Sequence, residues 1–223
     1  HFLDVREGGI EGVKIVEGID GVLILGRPEN LDEAKVMNVR GFGMSSTRDH
    51  DFEFLAELRK FARKSGLIFA IHAGEINCED VDQALDLKPD LIVHMNMCEE
   101  GITKVIELQI PLVSCIRSNA FFGILNVESY KKMCDYEFWM LGTDNAMIST
   151  PSILDEMHFA SYVLRRDDEI FSAAIRGFEL FGVESGFVVF HRNLNFKNTN
   201  NIKATLVRRA GPADIERVVC PHS

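Results

Sequence analysis

The chain has 223 residues, enough to bury a large core in one domain or in one domain with a small appendage. Its net charge of −10 argues against nucleic acids and anionic membrane surfaces as partners. No apolar run approaches the roughly 18 residues of a transmembrane helix, and no signal-peptide pattern opens the chain, so we expect a cytoplasmic protein. Five cysteines without paired spacing predict reduced thiols rather than a disulfide framework.

Short apolar runs alternate with amphipathic segments over most of the chain. The runs predict strands at 1–5, 21–25, 39–44, 67–75, 91–95, 111–116 and 138–141. The segments predict helices at 10–18, 31–36, 51–64, 79–87, 99–108, 126–135, 152–164 and 167–181. Strands that alternate with helices in this way predict parallel β/α units.

Two architectures fit this alternation, a doubly wound sheet and a closed barrel. A doubly wound sheet of the Rossmann type should carry a Gly-rich phosphate-binding turn after its first strand, and residues 6–9 do not match one. In a TIM-type barrel the chemistry lies at the carboxyl ends of the strands. Here polar residues follow every strand: Asp4, Arg6, Arg27, Ser45, Ser46, His72, Glu75, His94, Asn96, Arg117, Ser118, Asn119, Asp144 and Asn145. We therefore expect a (β/α)8 barrel of the TIM type, with seven of its eight strands visible.

The pattern changes after Phe181. Strand-like runs at 187–190 and 202–207 flank an Asn-rich stretch, and 213–219 predicts a short helix. This part is too small to be a domain by itself. We expect a small β-element whose partner strands lie elsewhere.

The run at 67–75, LIFAIHAGE, ends in His72, a small Ala–Gly pair and Glu75. An imidazole and a carboxylate at the mouth of a buried strand cost several kcal/mol unless they are paired or ligated. The run therefore predicts either a functional site or a satisfied polar network in which His72 bonds a backbone carbonyl. A lone histidine, His94, ends the next strand, and Gly142-Thr143-Asp144 follow the last.

Together, these three features resemble the amidohydrolase superfamily, in particular its branch of adenosine, cytosine and guanine deaminases and chlorohydrolase-like proteins. The resemblance runs from His1 to about Gly182, and IHAGE and LGTDNA are its sharpest parts. The strands that follow resemble the small β-sandwich that such proteins often carry. The resemblance thus implies a barrel domain over 1–182, and the remnant of a flanking β-sandwich with a C-terminal helix over 183–223.

The resemblance also implies one divalent metal at the barrel mouth, Zn²⁺ in the first place and Fe²⁺ in the second. His72 and Asp144 would be metal ligands, and Asp144 would also take a proton from the attacking water. Glu75 would protonate the substrate ring as the general acid, and His94 would orient the water. Imidazole and carboxylate suit these ions, and a bound metal can lower the pKa of water from about 15.7 to about 7.

Two departures from the family pattern matter. The family's first strand carries a His-x-His pair of ligands, which this sequence lacks, so we expect that pair and the first barrel strand upstream of His1. The stretch 41–46 offers neither a lysine nor an acid as a bridging ligand, which favours one metal over two.

We expect a small-molecule substrate, with Arg27, Arg117, Ser118, Asn119 and Asn145 as candidate binding residues, although polar residues at such positions are often only structural. The predicted reaction is attack of metal-activated water on a C–N bond of a cyclic amidine-type substrate, the deamination of a nucleobase-like ring. Two alternatives stay open: hydrolysis of an amide or cyclic amide on the same barrel, and a metal-free barrel that serves as a binding module. Barrels of this kind often dimerise, so a homodimer is a further expectation.

Overall fold

A computed structural model describes residues 2–5, 9–19, 21–182, 184, 186–193, 196–197 and 199–219. The chain divides into two compact units, His1–Pro111 and Leu112–Ser223. The division into a barrel over 1–182 and a β-sandwich remnant over 183–223 stays a prediction.

The first unit is built from parallel β/α units. Its strands are β1 (Phe2–Asp4), β2 (Leu23–Gly26), β3 (Gly41–Met44), β4 (Ile68–Ala73) and β5 (Leu91–His94). Its helices are α1 (Gly9–Val16), α2 (Leu31–Val36), α3 (Phe52–Ser65), α4 (Val81–Asp86) and α5 (Glu99–Glu107). Each strand pairs in parallel with the next one along the chain. The carboxyl ends of the five strands therefore lie at one edge of the sheet.

Local sequence signals set the ends of the longest helix of this unit. The side chain of Asp51 accepts a hydrogen bond from the backbone N–H of Phe54, so α3 begins at a capped residue. Gly66 takes the left-handed conformation that ends a helix, with φ of 67°. Leu55 and Leu58 face the core between these two ends and are buried. The predicted helix at 51–64 is confirmed.

The second unit holds two kinds of strand. Strands β6 (Leu112–Ser114) and β7 (Trp139–Leu141) pair in parallel, and β8 (Phe187–Phe190) and β9 (Ile215–Val219) pair in antiparallel register. Its helices are α6 (Ile116–Phe121), α7 (Val127–Cys134), α8 (Ile153–Leu164), α9 (Asp167–Leu180) and α10 (Ile202–Arg209). Every strand predicted up to residue 141 is thus found, as parallel β/α architecture requires. The predicted C-terminal β-sandwich is not confirmed.

Two predicted elements near the C-terminus have the wrong type. The predicted strand at 202–207 is helix α10, because Asn201 caps its first turn by accepting from the N–H of Ala204, and Val207 packs inward. The predicted helix at 213–219 is a short 3₁₀ turn followed by β9, because this segment pairs with β8. A local cap and an inward-facing apolar side chain decide the first case, and strand pairing decides the second.

The prediction of reduced thiols is wrong for one pair of cysteines. Cys78 and Cys98 form a disulfide, with their Cα atoms 5.0 Å apart. The two cysteines stand 20 positions apart, after β4 and near the start of α5, so only the pairing of β4 with β5 brings them together. Cys115 and Cys134 are free and buried, as expected for small apolar side chains. Among the described residues, no helix is long and apolar enough to cross a membrane.

Candidate functional site

The first cluster of polar side chains lies at the carboxyl edge of the first unit, after β1, β2 and β4. The Nη2 atom of Arg27 donates to the Oδ2 atom of Asp4 over 2.7 Å, and its Nε atom donates to the backbone carbonyl of Gly43 over 2.8 Å. The same Oδ2 atom lies 3.4 Å from Nε2 of His72. Arg27 thus fixes a carboxylate that faces one of the predicted metal ligands. Asp4 carries no role in the sequence prediction.

The second cluster, after β4 and β5, brings together Glu75 and His94, two of the predicted catalytic residues. Nε2 of His94 lies 3.7 Å from Oε2 of Glu75, and the His72 and His94 rings meet edge to face with centroids 5.0 Å apart. The side chain of His94 is 1% exposed and that of Glu75 is 32% exposed. A buried imidazole beside a half-buried carboxylate is an arrangement that can hold or transfer a proton.

Left-handed backbone shapes this edge. His94 and Met95 have φ values of 81° and 60°, a conformation that side chains with a Cβ rarely adopt and that clusters at functional sites. Gly74, with φ of 63°, leaves room for them, because a Cβ on it would lie 2.6 Å from the sulfur of Met95. The strand end therefore departs from extended geometry at a predicted site residue, His94.

A buried carboxylate, Asp80, holds the turn that carries Glu75. Its Oδ1 atom accepts from the backbone N–H of Gly74 over 2.9 Å, and its Oδ2 atom accepts from the hydroxyl of Ser46 over 2.7 Å. The N–H of Met97 donates to the carbonyl of Gly74 over 2.9 Å. The ends of β3, β4 and β5 are thereby tied together around Glu75.

A further pair of polar residues, Ser45 and His50, lies after β3 at the carboxyl edge of the sheet. The hydroxyl of Ser45 lies 2.9 Å from Nε2 of His50, a residue with no role in the prediction from sequence. Burial lowers the pKa of His50, and the positive charge of Arg27 lowers it further. The neutral form of His50 is therefore favoured at pH 7. The imidazole lies near enough to the first cluster for the charge of Arg27 to act on it.

In the second unit, Asp144 follows β7 and has a φ of 55°. The hydroxyl of Ser118, which is buried on α6, donates to Oδ2 of Asp144. Ser118 was predicted to bind substrate, and its described contact is with this carboxylate. Helix α6 is absent from the sequence prediction, so the structure places Arg117, Ser118 and Asn119 on a helix rather than a loop.

The other three candidate binding residues of the second unit also have partners within it. Both the backbone N–H and the Nε atom of Arg117 donate to the buried Glu156, over 3.0 and 3.1 Å. The amide of Asn119 donates to the hydroxyl of Tyr130 over 2.8 Å. The side chain of Asn145 accepts from the N–H of Met147 over 2.8 Å in a local turn. Their predicted contacts with a substrate stay predictions.

Comparisons with known proteins add the family context. A relative from Archaeoglobus fulgidus, provisionally named an aminohydrolase, is 56% identical over 219 residues, which is 98% of this chain and 66% of that protein. The chain thus spans just under two thirds of the length of this relative. No protein-family model matches the chain.

Solved structures of deaminases share the fold. An adenosine deaminase from Xanthomonas campestris with bound zinc matches with a TM-score of 0.70 at 14% identity, over 94% of this chain and 53% of that one. A guanine deaminase from C. acetobutylicum with bound guanine matches with a TM-score of 0.62 at 15% identity, over 94% of this chain and 58% of that one. The chain therefore shares its fold with these two deaminases.

The donor atoms of the first unit suit the metal that this fold implies. His72 offers an imidazole nitrogen, a ligand type that Zn²⁺ prefers, and the carboxylate of Asp4 lies 3.4 Å from Nε2 of the same ring. The Oδ1 atom of Asp4 is buried and has no hydrogen-bond partner among the described residues, so this carboxylate has accepting capacity left. No three His, Cys, Asp or Glu side chains within the described ranges converge as a complete ligand set. The residues present fit part of a metal site.

Proposed function

We propose that the protein is a metal-dependent hydrolase that deaminates a nucleobase-like ring. The observation that carries the proposal is the arrangement of His72, Glu75 and His94 at one strand edge, with Glu75 and His94 3.7 Å apart and the two imidazole rings in contact. The amidohydrolase-type fold and the aminohydrolase name of the A. fulgidus relative support hydrolysis of a C–N bond.

Glu75 and His94 have different roles in the proposed reaction. Glu75 is partly exposed, so its carboxyl group can reach a substrate and donate a proton to a ring nitrogen as the general acid. His94 is buried against it and can orient the attacking water, since its ring is held by packing and by the fixed backbone at the end of β5. A proton placed on the ring nitrogen makes the adjacent carbon more electrophilic, and the oxygen of water adds to that carbon as a base takes one of its protons. The remaining proton of the added hydroxyl passes to the amino group, the C–N bond breaks, and ammonia leaves as the ring carbonyl forms.

A divalent metal, when bound, supplies Lewis acidity and a more acidic water. His72 would hold it through an imidazole nitrogen, and Asp144 keeps the role predicted from the sequence, as a ligand and proton acceptor. The hydroxyl of Ser118 donates to Oδ2 of Asp144, which leaves the other carboxylate oxygen of that residue for these tasks. Zn²⁺ is the first choice of metal, since imidazole and carboxylate ligands suit it.

The test measures metal content and ammonia release on the full-length protein. We expect one zinc or iron per chain, lost when His72 or Asp144 is changed to alanine. We expect ammonia release from at least one member of a panel of adenosine, adenine, guanine and cytosine. In this assay Glu75→Gln should keep the metal but lose about 10²- to 10⁴-fold in rate, the usual contribution of a general acid.

The control is Asp32→Asn, which removes an exposed carboxylate that pairs with Lys35 on the same helix. It should match the wild type in metal content and rate. Wild-type protein that takes up no metal after reconstitution would overturn the proposal. Turnover of cyclic amides without turnover of any ring amine would instead favour amide hydrolysis.

A further inference from the structure

We propose that Asp4, anchored by Arg27, is a positioning residue for His72 and raises the affinity of the site for a divalent cation. The inference rests on the proposed role of His72 as a metal ligand. Four consecutive strands supply its parts: β1 carries Asp4, Arg27 follows β2, Gly43 lies in β3 and His72 lies in β4.

The contacts of Asp4 argue for this role. Its Oδ2 atom receives Nη2 of Arg27 at 2.7 Å and faces Nε2 of His72 at 3.4 Å. The guanidinium is fixed at a second point, because its Nε atom donates to the carbonyl of Gly43 at 2.8 Å. A planar guanidinium held at two points restricts the carboxylate to one orientation. That orientation presents negative charge to the His72 ring.

Gly43 makes room for the carboxylate. A Cβ at this position would lie 2.7 Å from both Cγ and Oδ1 of Asp4, closer than real contacts allow. The backbone of Gly43 is extended β-strand, so space rather than an unusual φ is the reason for a glycine here. The strand thus carries a gap into which Asp4 fits.

If Asp4 served only to stabilise the fold, both oxygens of its carboxylate should have hydrogen-bond donors, and within the described part of the chain one of them does not. The Oδ1 atom is buried and has no hydrogen-bond partner among the described residues, while Oδ2 is shared between a guanidinium and an imidazole. A buried carboxylate oxygen without a donor is costly, and a cation bound beside His72 would offset that cost. Carboxylates that neighbour metal-binding histidines fix the ring and tune the affinity for the metal.

The experiment measures the affinity for Zn²⁺ alone, by competition with a chelator, in the full-length protein. Asp4→Asn keeps the shape but removes the charge, and Gly43→Ala keeps the charge but displaces the carboxylate. We expect both to weaken zinc binding by about 10- to 100-fold, the usual effect of losing a residue that supports a metal ligand. Asp32→Asn, an exposed carboxylate on α2, should leave the affinity unchanged.

The thermal midpoint of each metal-free variant separates a positioning role from a structural one. Weakened zinc binding at an unchanged midpoint supports the inference. Asp4→Asn and Gly43→Ala proteins that bind zinc as tightly as the control would overturn it. Complete loss of zinc with Asp4→Asn, as with His72→Ala, would also overturn it, since Asp4 would then be a ligand. Zinc binding that survives His72→Ala would instead refute the proposed function.

Discussion

Arg117 and Glu156 form a buried ion pair at the base of α6. The Glu156 side chain is fully buried and accepts from both the backbone N–H and the guanidinium of Arg117. Burial raises the pKa of Glu156, while the hydrogen bonds and charge of Arg117 lower it, and burial is the larger effect. The pair fixes the first turn of α6, and Ser118, the next residue, donates to Asp144. A buried pair thus supports a predicted site residue that it does not touch.

Removing Arg117 should therefore destabilise the protein in a pH-dependent way. Because the folded-state pKa of Glu156 lies above its unfolded value of about 4.3, the folded state holds the proton more tightly. The contribution of Glu156 to stability is then full below that value and is lost as the pH rises through the folded-state pKa. Arg117→Met raises this pKa further and leaves a buried charge without its partner. We expect a loss of about 3–5 kcal/mol at pH 7, and a smaller loss near pH 4.

Urea unfolding of wild type and variant at several pH values measures this difference. The matched control is Arg166→Met, since Arg166 pairs with Asp135 and Glu169 on an exposed surface of the same unit. It should lose little stability at any pH. A loss for Arg117→Met that is equal at pH 4 and pH 7 would contradict the assigned role of Glu156.

A residue of the candidate site could be predicted from the sequence if it lies at the end of an apolar run. His72 and His94 end apolar runs, and Glu75 follows one, so their position at strand ends is visible in the sequence. Glu156 lies within a helix and Asp80 within a loop, and only packing shows that each holds a neighbouring turn. Asp4 was visible as a polar residue after a strand, but its contact with His72 depends on the pairing of several strands.

At the scale of whole elements, the spacing of apolar residues was sufficient to predict each helix or strand that packs in a regular layer. Strand β4 and helix α3 were found because apolar spacing follows directly from burial on a sheet or on one helix face. The six-residue helix α6 was missed because it follows strand β6 directly and no side chain of the described residues caps its start, whereas α2, of the same length, follows the capping residue Asn30. Helix α10 and strand β9 were exchanged because β-branched residues occur in both, and the pairing with β8 decided.

The disulfide between the loops after β4 and β5 gives a prediction at this scale. It closes a segment of 20 residues that contains Asp80, α4 and β5, and it lies beside the turn that carries Glu75. Reduction by a dithiol converts the disulfide to two thiols and oxidises the dithiol. Since a closed loop of this length restricts the unfolded chain, we expect reduction to lower the free energy of unfolding by about 3 kcal/mol.

Alkylation followed by peptide mass spectrometry provides the check on connectivity. In the unfolded protein without reductant, Cys115 and Cys134 should react, while Cys78 and Cys98 should react only after dithiol treatment. The control is the double variant Cys78→Ser with Cys98→Ser, whose stability should not respond to the dithiol. Alkylation of Cys78 before reduction would show that the bond is absent.

At the scale of the whole molecule, the net charge of −10 bears on how metal binding must be measured. A chain with this excess of carboxylates attracts divalent cations to its surface without any specific site. Metal content alone therefore separates specific from non-specific uptake poorly. Stability is a sharper measure, because an ion that binds only the folded chain at one site raises the free energy of unfolding by an amount set by its Kd.

Zinc should thus stabilise the whole chain through His72. With free Zn²⁺ at about 100 times Kd, we expect a gain of about 2.7 kcal/mol in the free energy of unfolding, measured by urea denaturation of metal-free and zinc-loaded protein. His72→Ala should show no gain at the same concentration, since non-specific surface binding acts on folded and unfolded chains alike. An equal gain in both proteins would mean that zinc acts at surface carboxylates, and the proposed site would then be wrong. A gain confined to the wild type would connect the stability of the molecule to His72, the histidine within LIFAIHAGE.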